Sequence, residues 1–179
     1  MRIVSGQFKG RSIAPPSNFA ARPTTDFAKV ALFNILAVRF DFAELSALDL
    51  FSGTGSISYE LASRGCRSVT SVDLNAQHIA FIRRTAQALP LPQLRCVRAN
   101  AFAYLSSCHE TYDLIFADPP YDLAGVEQVP QLVFERDLLS AGSWLIVEHG
   151  KEKKLSELPH FREHRCYGNV NFSIFEKKS

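Results

Sequence analysis

Three short clusters in the sequence carry residue types suited to chemistry: Asp118-Pro119-Pro120-Tyr121, the turn Ser52-Gly53-Thr54-Gly55, and Asp73. Two consecutive prolines stiffen a turn and remove backbone donors, leaving carbonyl acceptors aimed outward. A carboxylate beside them, followed by an aromatic ring, suits a planar base with an exocyclic amine. The amine donates to the Asp118 carboxylate and the Pro119 carbonyl while Tyr121 stacks on the base. Such an amine is a weak nucleophile, because its lone pair is delocalised into the ring. Two acceptors favour the pyramidal nitrogen and the positive charge that develop as it attacks a sulfonium methyl.

The glycine turn follows an apolar stretch, and its glycines allow tight turning and close approach of a ligand. A dinucleotide fingerprint needs a third glycine where this chain has Ser58. Asp73 lies about 20 residues further on, at the spacing of an acid that accepts both ribose hydroxyl hydrogens. Gly53, Gly55 and Asp73 together imply an adenosine-containing cofactor, either NAD or S-adenosylmethionine. The proline motif selects S-adenosylmethionine.

The elements that position these residues alternate in type. Arg2 to Ile13 reads as a short basic hairpin broken by Gly6 and Gly10. Thr24 or Thr25 caps a helix whose apolar stripe is Phe27, Val30, Ala31, Ile35 and Val38, interrupted by Asn34. Strands follow over Ala47 to Phe51, Ser68 to Val72, Leu94 to Ala99, Tyr112 to Ala117 and Trp144 to Glu148. Helices alternate with them over Ser56 to Arg64, Ala76 to Leu89, Ala101 to Ser106 and Val126 to Leu139, the last bent at Pro130. Phe161 to Tyr167 and Val170 to Phe175 form a terminal hairpin turning at Gly168-Asn169. Apolar strands alternating with helices predict an α/β fold with a mainly parallel sheet covered on both faces. Ligands of such sheets bind beyond the carboxyl ends of the strands, where all three clusters fall.

The whole chain is 179 residues, room for one domain. With 46% hydrophobic residues and 11% aromatics it is neither disordered nor coiled coil. No apolar run approaches the roughly 20 residues that span a bilayer, and the start has no signal-like run, so a cytoplasmic protein without a membrane partner is expected. The net charge is only +2, but residues 1–25 hold Arg2, Lys9, Arg11 and Arg22 and no acid. Cys66, Cys96, Cys108 and Cys166 form no close pair, and the five histidines share no ligand-like spacing, so no metal is expected. The cysteines read as small, half-buried hydrophobes.

Nearly end to end, the sequence resembles the bacterial RsmD-type methyltransferases, which methylate N2 of a guanine in 16S ribosomal RNA. The resemblance is carried by Arg2-Ile3-Val4-Ser5-Gly6 with Gly10-Arg11, by Arg22-Pro23-Thr24-Thr25-Asp26, by Ala31-Leu32-Phe33-Asn34, by the glycine turn, and by Asp118 to Tyr121. It implies a Rossmann-like class I methyltransferase with a seven-stranded sheet in the order 3-2-1-4-5-7-6, its last strand antiparallel. It also implies S-adenosylmethionine contacts at Asp49, Gly53, Asp73, Asn100, Ala101 and Asp118. The catalytic residues would be Asp118, Pro119, Pro120 and Tyr121. Residues 1–25 would be an extension facing 16S RNA in a 30S particle, using Arg2, Lys9, Arg11 and Arg22, and residues 26–179 the methyltransferase domain of a monomer. Two positions depart from the family. Asn100 stands where related enzymes often have Asp for the adenine amine, although an amide oxygen also accepts that bond. Val30 stands where the family usually has Glu.

Two other readings share some of these features. A DNA adenine-N6 methyltransferase has the proline motif but usually also a target-recognition insertion, for which 179 residues leave little space. A non-catalytic RNA-binding or assembly module would keep the fold without requiring the acceptor geometry of Asp118 to Tyr121. An NAD oxidoreductase is disfavoured by Ser58 and by the lack of an acid or base for a hydride site.

Overall fold

A computed structural model describes residues 1–19 and 24–179 of the chain. Seven strands form one sheet: β1 (Ser46–Leu50), β2 (Ser68–Asp73), β3 (Leu94–Arg98), β4 (Tyr112–Ala117), β5 (Leu139–His149), β6 (Phe161–Tyr167) and β7 (Val170–Glu176). Their spatial order is β3-β2-β1-β4-β5-β7-β6, as expected. The first five are parallel, and β7 runs antiparallel to both its neighbours. The inner strands are almost wholly buried because helices cover both sides. On one face lie α1 (Asp26–Arg39), α2 (Ser56–Ser63) and α3 (Ala76–Ala88), contributing Leu32, Phe33, Leu61 and Ile82 to the core. On the other lie α4 (Ala101–Ser107) and α5 (Gln128–Glu135), with Leu105, Val129 and Val133. Among the described residues no helix is long and apolar enough to cross a membrane.

Several local expectations are corrected. The buried face of α1 is Ala28, Lys29, Leu32, Phe33 and Leu36, whereas Phe27 is 67% and Val38 91% exposed. The helix has apolar residues nearly all round, so two stripes one residue apart compete. The winning stripe includes a lysine, because Lys29 Nζ finds the Arg2 carbonyl at 2.7 Å and Ser56 Oγ at 3.2 Å. Helix α5 ends at Glu135, and a reversal at Asp137 with φ of 56° lets Leu139 begin β5. Pro130 does not bend it, since it sits in the first turn, where backbone donors have no intrahelical acceptor. Of the cysteines, Cys66 and Cys108 are buried but Cys166 is exposed.

Residues 1–13 double back with a single antiparallel bridge, Arg2 to Ser12, and bury Ile3 and Ile13 in the α1 core. The turn of this segment docks on the last turn of α2. Gln7 and Phe8 donate backbone N–H groups to the Ser63 carbonyl (2.8 Å) and hydroxyl (3.0 Å). Gly6 is required there: its φ is +86° and a Cβ would lie 2.0 Å from the Ser63 carbonyl oxygen.

Candidate active site

Strand order decides where the site lies. Beyond β1 the chain turns to α2 on one face, and beyond β4 it turns to α5 on the other, which opens a crevice at their carboxyl ends. A cavity of about 1060 Å³ occupies it. Asp49, Gly53, Asp73, Asn100, Ala101 and Asp118 all line it, as do Pro119, Pro120 and Tyr121. The cofactor and acceptor clusters, far apart in sequence, therefore share one chamber.

The glycine turn is held from two sides. Ser52 N–H donates to the Val72 carbonyl at 3.0 Å, and Gly53 N–H donates to Asp73 Oδ2 at 2.9 Å. Gly55, outside the lining, starts α2 with φ of +92°, and a Cβ there would come within 2.7 Å of Tyr59 Cζ. Asp73 Oδ1 accepts from Asn75 N–H at 2.8 Å and lies 3.2 Å from His78 Nδ1. Phe19 packs on the His78 ring with centroids 5.2 Å apart and completes that wall of the cavity.

Asp49 lies deeper. Only 1% exposed, it accepts from Ser58 Oγ at 2.6 Å, and Ser58 Oγ lies 3.0 Å from Ser71 Oγ. Burial outweighs the Ser58 hydrogen bond and pushes the Asp49 carboxyl up to about 7. Ser58, which breaks the dinucleotide pattern, thus serves the site through Asp49. Asn100 caps α4, its Oδ1 accepting from Phe102 N–H at 3.0 Å and Ala103 N–H at 3.1 Å. Both lone pairs of that oxygen are engaged by these bonds, so the amide Nδ2–H groups are the donors left to meet a ligand.

On the acceptor side, Asp118 N–H donates to the Leu50 carbonyl at 3.3 Å, which ties the proline motif to the end of β1. Pro119 is buried and Pro120 exposed, and the Pro120 carbonyl accepts from Leu123 N–H at 2.9 Å. The Pro120 carbonyl is thereby engaged within its own turn. The Tyr121 hydroxyl donates to Glu148 Oε1 at 3.0 Å, and Thr24 Oγ1 donates to Glu148 Oε2 at 3.4 Å. Glu148 was not singled out from sequence: a lone acid ending a strand carries no signal until the strand beside it is known.

Three of the four N-terminal cations can be placed relative to this chamber. Arg2, Lys9 and Arg11 are exposed and none lines the cavity, while Arg22 lies outside the described residues. Among the described residues no three His, Cys, Asp or Glu converge to hold a metal.

The donor set fits S-adenosylmethionine. Asp49, Asp73 and Asp118 present carboxylates to one chamber, suited to a ligand with ribose hydroxyls and positive charge, and its volume leaves space for a base beside it. Fold and site together define a class I methyltransferase that uses S-adenosylmethionine. Within that class the chain belongs to the RsmD/YlbH family, whose family model, described as "Conserved hypothetical protein 95", matches residues 1–176. YlbH of Bacillus subtilis is 30% identical over 185 residues, covering 99% of this chain and 100% of that protein. Ribosomal RNA small subunit methyltransferase D of Escherichia coli is 25% identical over 182 residues, covering 100% of this chain and 91% of that one. The solved structure of yhhF from Escherichia coli has the same fold, with a TM-score of 0.87, 24% identity, and coverage of 100% of this chain and 98% of that one.

Proposed function

We propose that this chain methylates the exocyclic N2 of a guanine in 16S ribosomal RNA within a small-subunit particle, acting as a cytoplasmic monomer. The observation that carries the reading is the single chamber lined both by the Gly53–Asp73 wall and by Asp118, Pro119 and Tyr121. S-adenosylmethionine, when bound, supplies the electrophilic methyl group. The chain's own residues orient the acceptor. Asp118 and the Pro119 carbonyl accept the two amine hydrogens, which favours a pyramidal nitrogen with its lone pair free. Tyr121 stacks on the extruded base and fixes its plane. The surplus proton passes to Asp118 or to solvent, and no general acid is needed. Gly53, Asp73 and Asn100 hold the nucleoside end of the cofactor, and Asp49 and Asp118 its charged end. Residues 1–25 form the RNA-facing extension, with Arg2, Lys9, Arg11 and Arg22 on the phosphate backbone.

The test is mass spectrometry of nucleosides from small-subunit RNA of a deletion strain. Loss of one N2-methylguanosine, restored by the wild-type gene but not by Asp118→Ala, is expected. An unchanged nucleoside profile, or transfer of labelled methyl to adenine of duplex DNA by the purified protein, overturns the reading.

A further inference from the structure

Glu148 is 0% exposed, yet it is a carboxylate, next to last in β5, at a depth where an apolar residue is the usual occupant. Burying an ionised group costs several kcal/mol unless hydrogen bonds compensate. Its place in the sheet explains what it does there. The β4–β5 register pairs Ala117 with Val147, so Glu148 stands level with Asp118 on the neighbouring strand. On its other side Glu148 pairs with Phe172 of β7, which fixes its backbone between two strands. Its two oxygens then reach separate elements: Oε1 takes the Tyr121 hydroxyl and Oε2 the hydroxyl of Thr24, just ahead of the Thr25 cap of α1.

We propose that Glu148 is a positioning residue, which sets the plane of the Tyr121 ring through its hydroxyl and ties that ring to the start of α1. The proposal rests on the reading of Asp118 to Tyr121 as the site of the acceptor base. A tyrosine ring held only by stacking turns about its side-chain bonds. A hydrogen bond to a carboxylate on a rigid central strand removes that freedom. The base lying on the ring takes its orientation from it, and therefore so does the lone pair of the reacting amine. Misplacement of about 1 Å in such an arrangement costs about 10²-fold in rate. A phenylalanine would stack equally well, so Tyr121→Phe keeps the ring and removes its bond to Glu148.

The test is a double-mutant cycle on Tyr121→Phe and Glu148→Leu, with Glu148→Gln as the conservative variant. Turnover is measured on small-subunit particles and cofactor affinity by calorimetry. The ring itself is followed in 3-fluorotyrosine-labelled protein by the ¹⁹F resonance that Tyr121→Phe removes. Expected are a fall in kcat of about 10–100-fold for Tyr121→Phe and for Glu148→Leu, with little change in KM or cofactor affinity, and no further loss in the double variant. Glu148→Gln, whose amide oxygen still accepts, recovers most of the rate. The Tyr121 resonance shifts in Glu148→Leu and stays near its wild-type position in Glu148→Gln. Additive losses, wild-type kcat in Tyr121→Phe, or an unmoved resonance in Glu148→Leu overturns the proposal. If Glu148→Leu does not fold, Tyr121→Phe alone decides, because it leaves the carboxylate in place. Wild-type protein inactive on particles would count against the proposed function instead, and the resonance would still report on Glu148.

Discussion

The backbone N–H of Gly53 donates to Asp73 Oδ2 at 2.9 Å, so the acid that ends β2 braces the turn that ends β1. One side chain thereby shapes the glycine turn and lines the wall of the cavity beside it. Asp73→Ala removes both contributions. Hydrogen bonds to a charged group are worth about 1.5–3 kcal/mol, so S-adenosylmethionine affinity should fall about 10–100-fold. Calorimetric titration measures it directly, and an affinity within twofold of wild type would show that Asp73 is not a cofactor residue.

Asp49 makes the site sensitive to pH. Its carboxyl is raised to about 7 in the folded chain by burial, from an ordinary value of 3.8. Between these values the folded state holds a proton that the unfolded state has lost, so stability falls as pH rises from about 4 through about 7. Urea unfolding of wild type and Asp49→Asn, compared from pH 5 to pH 8, isolates this group: the wild-type advantage shrinks with pH. A positively charged cofactor group favours the carboxylate form. Cofactor affinity should therefore climb with pH up to about 7 in wild type and lose that slope in Asp49→Asn. A flat wild-type profile would contradict the assignment.

The fixing of residues 1–13 depends on a buried charge pair. Glu60, fully buried, accepts from the backbone N–H groups of Val4 (2.8 Å) and Ser5 (3.0 Å) and from Arg64 Nε at 2.9 Å. Lys29 Nζ lies 3.8 Å away, and burial lowers its pKa despite the attraction of Glu60. Removing one member of such a pair leaves the other uncompensated, at a cost of about 3–5 kcal/mol. Glu60→Ala should lower stability by that amount in chemical denaturation. It should also expose the peptide bonds after Lys9 and Arg11 to trypsin well before the rest of the chain. Unchanged cleavage would mean that Gly6 and Ser63 hold the segment alone.

Much of the sheet was legible because β4 and the second half of β5 are apolar runs and because Gly53, Asp73 and Asp118 close the strands at one edge. The strand order, by contrast, followed from the family resemblance, and the start of β5 at Leu139 read as the end of a helix. The face of α1 was not legible, since Phe27, Val30 and Val38 make as good a stripe as Ala28, Leu32 and Leu36. What selects the second is Lys29, whose ammonium is matched by groups on Arg2, Ser56 and Glu60 that no local pattern discloses. Glu148 was hidden for a similar reason, its contacts lying 27 and 124 residues away along the chain. The two stripes differ in their consequences. Val38→Lys, at a site 91% exposed, should change stability by less than about 0.5 kcal/mol, as surface substitutions do. Leu32→Ala, at a site 1% exposed, should cost about 2–5 kcal/mol. Equilibrium unfolding of both settles the face, and the reverse ranking would restore the stripe first read from the sequence.

The proposed RNA-facing role of the N-terminal cations also has a measurable signature. Lys9 lies in the turn that docks on Ser63, at the end of α2 remote from the glycine turn, and neither it nor Arg11 lines the cavity. Their expected contribution is to phosphates outside the chamber. Each phosphate contact on single-stranded RNA adds about 0.7 to the slope of log affinity against log salt. Lys9→Ala with Arg11→Ala should therefore weaken binding to small-subunit RNA evenly across sequences and reduce that slope by about 1–2. Cofactor affinity should be unchanged, since both side chains are exposed and away from the cavity. Filter binding over a range of salt concentrations reads both quantities. If affinity and slope both match wild type, the RNA approaches over another surface and residues 1–13 serve the fold alone.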